Sequence, residues 1–152
     1  MLDAILAWIH FMLIFALSGT LFAEFFFYQR SLTTTTLQRL QRVDAAFGIL
    51  AGLVIVSGIL RVIYSPKTAA YFLHDSFFRT KMVLFVTVGL VSILPTRHYL
   101  SLRNVPVAGG IVTVPEDSYA ATRRWLTLEV VLLLFIPLCA SLMAHGYGYH
   151  AP

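Results

Sequence analysis

The chain has 152 residues, of which 59% are hydrophobic and only 12% charged, with a mean hydropathy of +0.81. An average soluble domain is about 45–50% apolar and roughly 25% charged, so a water-soluble enzyme, a nucleic-acid binder and a disordered chain are all poor fits. The net charge of +4 then reads as a topology signal, not as a nucleic-acid patch. The composition defines an integral membrane protein.

Four apolar stretches follow one another. They cover residues 4–28, 45–64, 76–94 and 125–144, each close to the roughly 20 residues a helix needs to cross the hydrocarbon core. The first is not expected to be a cleaved signal peptide, because it lacks a basic start, is long, and carries Glu24 where a small-residue cleavage site would fall. The longest connection, residues 102–121, holds Pro106, Gly109, Gly110 and Pro115 among β-branched residues and reads as an ordered or semi-ordered surface loop, not a second domain. No internal repeat is visible.

The expected fold is all-α, a four-helix transmembrane bundle forming a single domain, because a span must satisfy its backbone polar groups internally. Cations set its orientation. The first and third connections carry Arg30, Arg39, Arg42, Arg97, Arg103, Arg123 and Arg124, against Arg61, Lys67, Arg79 and Lys81 around the second. The positive-inside rule puts the richer side in the cytoplasm and both termini on the outer, periplasmic side of a bacterial inner membrane. On the second span Asp44, Gly48, Ala51, Gly52, Ile55 and Gly58 share a narrow stripe at about 100° per residue, which reads as a close helix–helix contact. Trp8, Tyr28, Tyr64, Tyr71 and Trp125 stand near span ends, as an aromatic belt requires.

Ionisable groups are the residues that lipid should have excluded. At mid-membrane each costs about 2.5–3.5 kcal/mol on insertion scales. Two layers emerge from the topology. His10, Arg61, Lys81 and His145 fall towards the outer side; Glu24, Asp44 and Glu129 fall towards the inner side beside arginines. The inner carboxylates read first as ion-pair partners of those arginines, with a proton path or quinone-side proton acceptor as the alternative. The outer layer offers an imidazole, a standard axial ligand for haem iron, and two cations suited to cofactor carboxylates. His10 and Glu24 are about 40° apart around the first helix, so both can face inward. His10 is also open to a simpler reading, a hydrogen bond to a neighbouring helix, and Lys81 to snorkelling. His145 and the tail through His150 could hold a metal, though two histidines in a glycine-tyrosine tail are an unspecific signal. The aromatic run Phe25 to Tyr28 could wall a porphyrin or quinone pocket.

Three stretches carry a resemblance: Leu6-Ala7-Trp8-Ile9-His10-Phe11 leading to Gly19 and Glu24, Gly58-Ile59-Leu60-Arg61, and Phe77-Phe78-Arg79-Thr80-Lys81 continuing to Ser92-Ile93-Leu94-Pro95-Thr96. Nearly the whole chain resembles a family of small bacterial four-helix membrane proteins of unknown function. More distantly it resembles the HemJ-type protoporphyrinogen IX oxidases, four-helix membrane proteins that bind haem b. That resemblance implies functional importance for His10 and Lys81, since the family uses a first-helix histidine and a third-helix lysine. The tryptophan-containing approach to that lysine is replaced here by Phe-Phe-Arg-Thr.

The expected function is therefore that of a haem-b-binding inner-membrane protein in electron transfer or porphyrin oxidation. His10 is the expected axial ligand and His145 a second metal ligand. Arg61 and Lys81 would hold carboxylates of the cofactor or a porphyrin-like ligand, and Lys81 and Glu24 are the candidate catalytic residues. Electrons would pass to a quinone or another redox partner, and a homodimer or homotrimer would help enclose a large macrocycle. The alternatives are a structural or assembly protein without enzymatic activity and a small oligomeric transporter. The second would need an oligomer, since no inverted repeat is visible.

Overall fold

The computed structural model describes residues 1–65, 72, 74–105 and 109–148. Lys67, Tyr71, Pro106 and His150 lie outside the described residues. Four helices are long and apolar enough to cross a membrane: α1 (Leu2–Phe27), α2 (Thr34–Ile63), α3 (Ser76–Ser101) and α4 (Glu116–Ala144). The fold is the all-α transmembrane bundle that the composition demands.

Each helix outruns the apolar stretch that announced it. Helix α2 begins at Thr34, not near residue 45, and α4 begins at Glu116, not near residue 125. Hydropathy detects only residues matched to lipid, whereas the backbone hydrogen-bond ladder continues into the polar flanks. Pro95 does not end α3, which runs on to Ser101; proline removes one hydrogen bond from the ladder, and here its ring is buried in the bundle.

Local chemistry sets the helix starts. Thr33 closes the start of α2 by accepting the Thr36 N–H at 3.2 Å. The buried Asp75 does the same for α3, one carboxylate oxygen accepting from Phe77 at 2.9 Å and Phe78 at 3.1 Å. Such side-chain caps satisfy orphan donors at a helix start. The chain's C-terminal segment returns to this cap: the Ser76 N–H donates to the Gly148 carbonyl at 2.9 Å. Gly148 has φ +107°, and a Cβ there would lie 2.5 Å from the Phe77 ring, so only glycine fits.

The long loop holds more order than its composition suggested. Strand β1 (Ser31–Thr33) pairs antiparallel with β2 (Ile111–Thr113), with Leu32 opposite Val112, both buried. Gly109 and Gly110, at φ +60° and +80°, make the turn into β2. This ribbon ties the α1–α2 connection to the α3–α4 connection and marks one end of the bundle. The start of α1 and the end of α4 lie at the other, terminal end.

Helix α1 packs chiefly on α2 and α3 on α4, with α1–α4 and α2–α3 completing the ring. The core is Leu17, Leu21, Phe47, Val54, Val88, Leu126 and Leu133, closed at the ribbon end by Tyr28, Leu40 and Tyr99. In lipid such contacts hold helices through close packing, not through removal of apolar surface from water. The small-residue stripe of α2 makes that contact only in part, through Asp44, Ala51 and Gly58. Gly48 and Gly52 are exposed and a Cβ at either would meet nothing within 4 Å; α2 instead buries Phe47, Val54 and Ser57. The stripe's angle was right for a face, but bulk decided which face packs. Of the stripe's glycines, Gly58 alone has a neighbour at its Cβ position, the His10 ring.

Candidate functional site

The polar residues of the bundle form two groups, one in each half. In the terminal half, α1 contributes His10 and α2 contributes Ser57, Gly58 and Arg61. The His10 Nδ1 lies 2.8 Å from the Ser57 Oγ. The Ser57 hydroxyl also lies 3.1 Å from the Val54 carbonyl. When it donates there, its oxygen accepts from Nδ1–H and Nε2 keeps its lone pair; when it donates to Nδ1, the ring proton sits on Nε2. Gly58 gives the ring its place: a Cβ there would come within 3.3 Å of the His10 Cε1.

Lys81 joins this group from α3. The charges of Arg61 and Lys81 both act on the His10 ring and on each other. Neither cation makes an ion pair among the described residues, where the ion pair is Arg30–Glu116 at 2.6 Å. The Arg61 guanidinium lies 5.5 Å over the Phe11 ring, and its Nε is buried with no hydrogen-bond partner. The Lys81 ammonium lies 4.8 Å over Phe78 and 3.8 Å from the Met143 sulfur, with Asp75 and Cys139 in electrostatic range. Three helices thus bring one imidazole and two cations lacking ion-pair partners together, a set able to ligate a metal centre through Nε2 and to bind an anion.

His145 stands apart from them. It is exposed, its Nδ1 rests 2.9 Å from the Ser141 carbonyl of its own helix, and no described contact joins it to His10, Arg61 or Lys81. Among the described residues no group of three or more His, Cys, Asp or Glu side chains is arranged to hold a metal ion by itself.

In the ribbon half, Glu24 and Glu129 are 2% and 1% exposed and Asp44 is half-buried, its Oδ1 accepting from the Thr96 hydroxyl at 2.7 Å. The expected ion pairs to these three carboxylates are not made among the described residues. Arg123, which precedes Glu129 on α4, donates to the Phe25 carbonyl and stacks 3.6 Å over the Phe25 ring. Arg30 is taken by Glu116, and Arg103 by Gln41 at 3.0 Å. Beside the carboxylates, Tyr28 is buried, not part of an interfacial belt; its hydroxyl lies 2.9 Å from the His98 Nε2 and its ring stacks 5.3 Å from Tyr119. Burial pushes the Tyr28 phenol above its ordinary range, against the opposing hydrogen bond of Thr122. The run Phe25 to Tyr28 lies four helical turns from His10, about 22 Å along the axis, and so does not wall the His10 group.

Ser57, Thr96, Tyr99 and the Tyr28–His98 pair were not singled out as site residues from sequence. Ser57 did carry a signal: it sits one turn before Arg61, on the same face of α2.

These features define a multi-pass membrane protein built as a four-helix bundle, with a polar group buried in each half. The chain belongs to the family described as "Predicted membrane protein (DUF2214)", whose model matches residues 2–148. No curated protein and no solved structure matches it.

Proposed function

We propose that the terminal-half group binds haem b, and that the protein serves membrane redox chemistry. The observation that carries this reading is the state of His10. Its Nδ1 is held by Ser57 at 2.8 Å, and with the proton on Nδ1 this is the arrangement by which metal-binding histidines are usually oriented, the other ring nitrogen being left to the metal. Two cations without ion-pair partners share its surroundings, and carboxylate side groups of a tetrapyrrole are partners that such cations suit. The distant resemblance to HemJ-type oxidases points the same way, through His10 and Lys81.

In this reading His10 is the axial ligand, and Arg61 and Lys81 anchor carboxylates of the cofactor or of a porphyrin substrate. His145 is not needed as a ligand. Bound haem would supply one-electron chemistry, and a quinone is a suitable lipid-soluble exchange partner. The ribbon end, with its seven arginines, faces the cytoplasm of a bacterial inner membrane, and both termini face outward.

The experiment is the absorption spectrum of the full chain, purified from haem-replete cells and after haem addition in detergent. The wild type should show a Soret band that His10→Ala loses and added imidazole restores. Arg61→Gln and Lys81→Met should weaken haem retention. A wild type that stays colourless under both conditions overturns the reading.

A further inference from the structure

Glu24, Asp44 and Glu129 enter the ribbon half from α1, α2 and α4, close enough for Asp44 and Glu129 to act on Glu24 and for Asp44 to act on Glu129. Tyr99 completes the ring from α3. It is 0% exposed and coupled electrostatically to all three carboxylates, yet its hydroxyl has no hydrogen-bond partner. One oxygen each of Glu24 and Glu129 is likewise buried and unpartnered. These are buried donors and acceptors in electrostatic range of one another, and among the described residues no cation pairs with them.

Ionised carboxylates without counter-ions are strongly disfavoured in a low-dielectric interior, and such groups take up protons instead. Carboxylates sharing one site cannot all ionise together. The cations at this end do not change the balance. Arg30, Arg103 and Arg123 are engaged elsewhere, and Arg39, Arg42, Arg97 and Arg124 are exposed.

Tyr28 and His98 stand between this cluster and the ribbon end. The Tyr28 ring packs 5.6 Å from the Tyr99 ring; its hydroxyl has the buried Thr122 on one side and the His98 Nε2 on the other. Tyr28 caps the ribbon end of α1, and His98 stands in the last turn of α3, half-buried.

We propose that Glu24, Asp44, Glu129 and Tyr99 form a proton-exchange site inside the membrane, joined to water at the ribbon end through Tyr28 and His98. On loading, a proton from water binds one nitrogen of His98 and the other nitrogen releases its proton to the Tyr28 oxygen. The Tyr28 hydroxyl proton moves inward, and one carboxylate becomes a carboxyl. No electron moves, and the site stands whether or not the terminal half binds haem.

The test is infrared spectroscopy of the full chain in lipid, moved from water to heavy water at neutral pH. A protonated-carboxyl stretching band should be present and should shift as its proton exchanges. Glu24→Gln and Glu129→Gln should each remove part of it. Tyr28→Phe and His98→Asn should keep the band but slow its exchange by about a hundredfold, the lower end of what a positioned proton-transfer group contributes. Carbodiimide labelling of the wild type, which needs no folded variant, should modify Glu24, Asp44 or Glu129 and fade as pH rises. Absence of the band, or wild-type exchange rates in both relay variants, overturns the proposal.

Discussion

His10 and Ser57 meet across the α1–α2 interface, Nδ1 to Oγ at 2.8 Å, and the serine hydroxyl can spend its own hydrogen on the Val54 carbonyl at 3.1 Å. In that arrangement the serine accepts from Nδ1–H, and Nε2 is available to a metal. Ser57→Ala leaves the Nδ1–H unpaired. It should lower thermal stability by about 1–3 kcal/mol and weaken metalloporphyrin retention about 10- to 100-fold, the usual effect of losing an orienting partner. Ser57→Thr should restore much of both. Thermal unfolding in detergent and a haem titration check the two effects separately.

Gly58 is a second handle on the same ring. Its missing Cβ leaves 3.3 Å to the His10 Cε1, so Gly58→Ala should be tolerated with a small shift. Gly58→Val should displace the imidazole and cost about 1–3 kcal/mol, as overpacking does. Exposed Gly52, where a Cβ meets nothing, is the control: Gly52→Ala should cost little or stabilise, because alanine is the better helix former. Thermal unfolding of the three variants gives the order.

Much of this was legible in the sequence, for identifiable reasons. Apolar runs and charge spacing announced four helices because lipid permits few alternatives to them. The depth of His10, Arg61 and Lys81 followed from chain position and alternating direction alone. Hydropathy was silent on the polar starts of α2 and α4 and on the ribbon, which rests on a three-residue pairing across some 80 residues of sequence. The inner carboxylates were read as ion pairs because arginines stand nearby in sequence. Side-chain direction decided otherwise, and Arg123 turned to Phe25. Tyr28 read as interfacial from its place at a span end, yet His98, Tyr99 and Tyr119 pack around it.

Tyr28 also offers a pH-dependent readout. Burial holds its phenol above the ordinary range, so the folded state favours the neutral form. Its contribution to stability is intact below the unfolded tyrosine value of about 10 and is lost as pH rises beyond it. Stability of the wild type should fall on entering that alkaline range, and Tyr28→Phe should flatten the fall. Near neutral pH the same variant should cost about 1 kcal/mol for the lost hydrogen bond to His98. Unfolding midpoints across the alkaline range decide it.

The clasp at Gly148 should be specific to glycine. At φ +107° a Cβ would press into Phe77 and disturb the bond from the Ser76 N–H. Gly148→Ala should therefore cost about 1–3 kcal/mol, the range for a strained backbone position, whereas Tyr147→Ala, at an exposed side chain, should cost little. Denaturation curves of the two variants make the comparison.

The proposed orientation puts the arginine-rich ribbon end in the cytoplasm. In a background with Cys139→Ser, a cysteine at exposed Ser101 should react with a membrane-impermeant maleimide only in inverted vesicles. One at Tyr147 should react in intact cells. The opposite pattern would invert the bundle.

Pulsed electron paramagnetic resonance of the haem-loaded ferric protein, grown with isotopically labelled histidine, tests the central claim most directly. A histidine nitrogen should couple to the iron in the wild type and in His145→Ala, and the coupling should vanish in His10→Ala. A coupling that survives His10→Ala, or a wild-type iron with no histidine nitrogen bound, would contradict the assignment of His10 as the ligand.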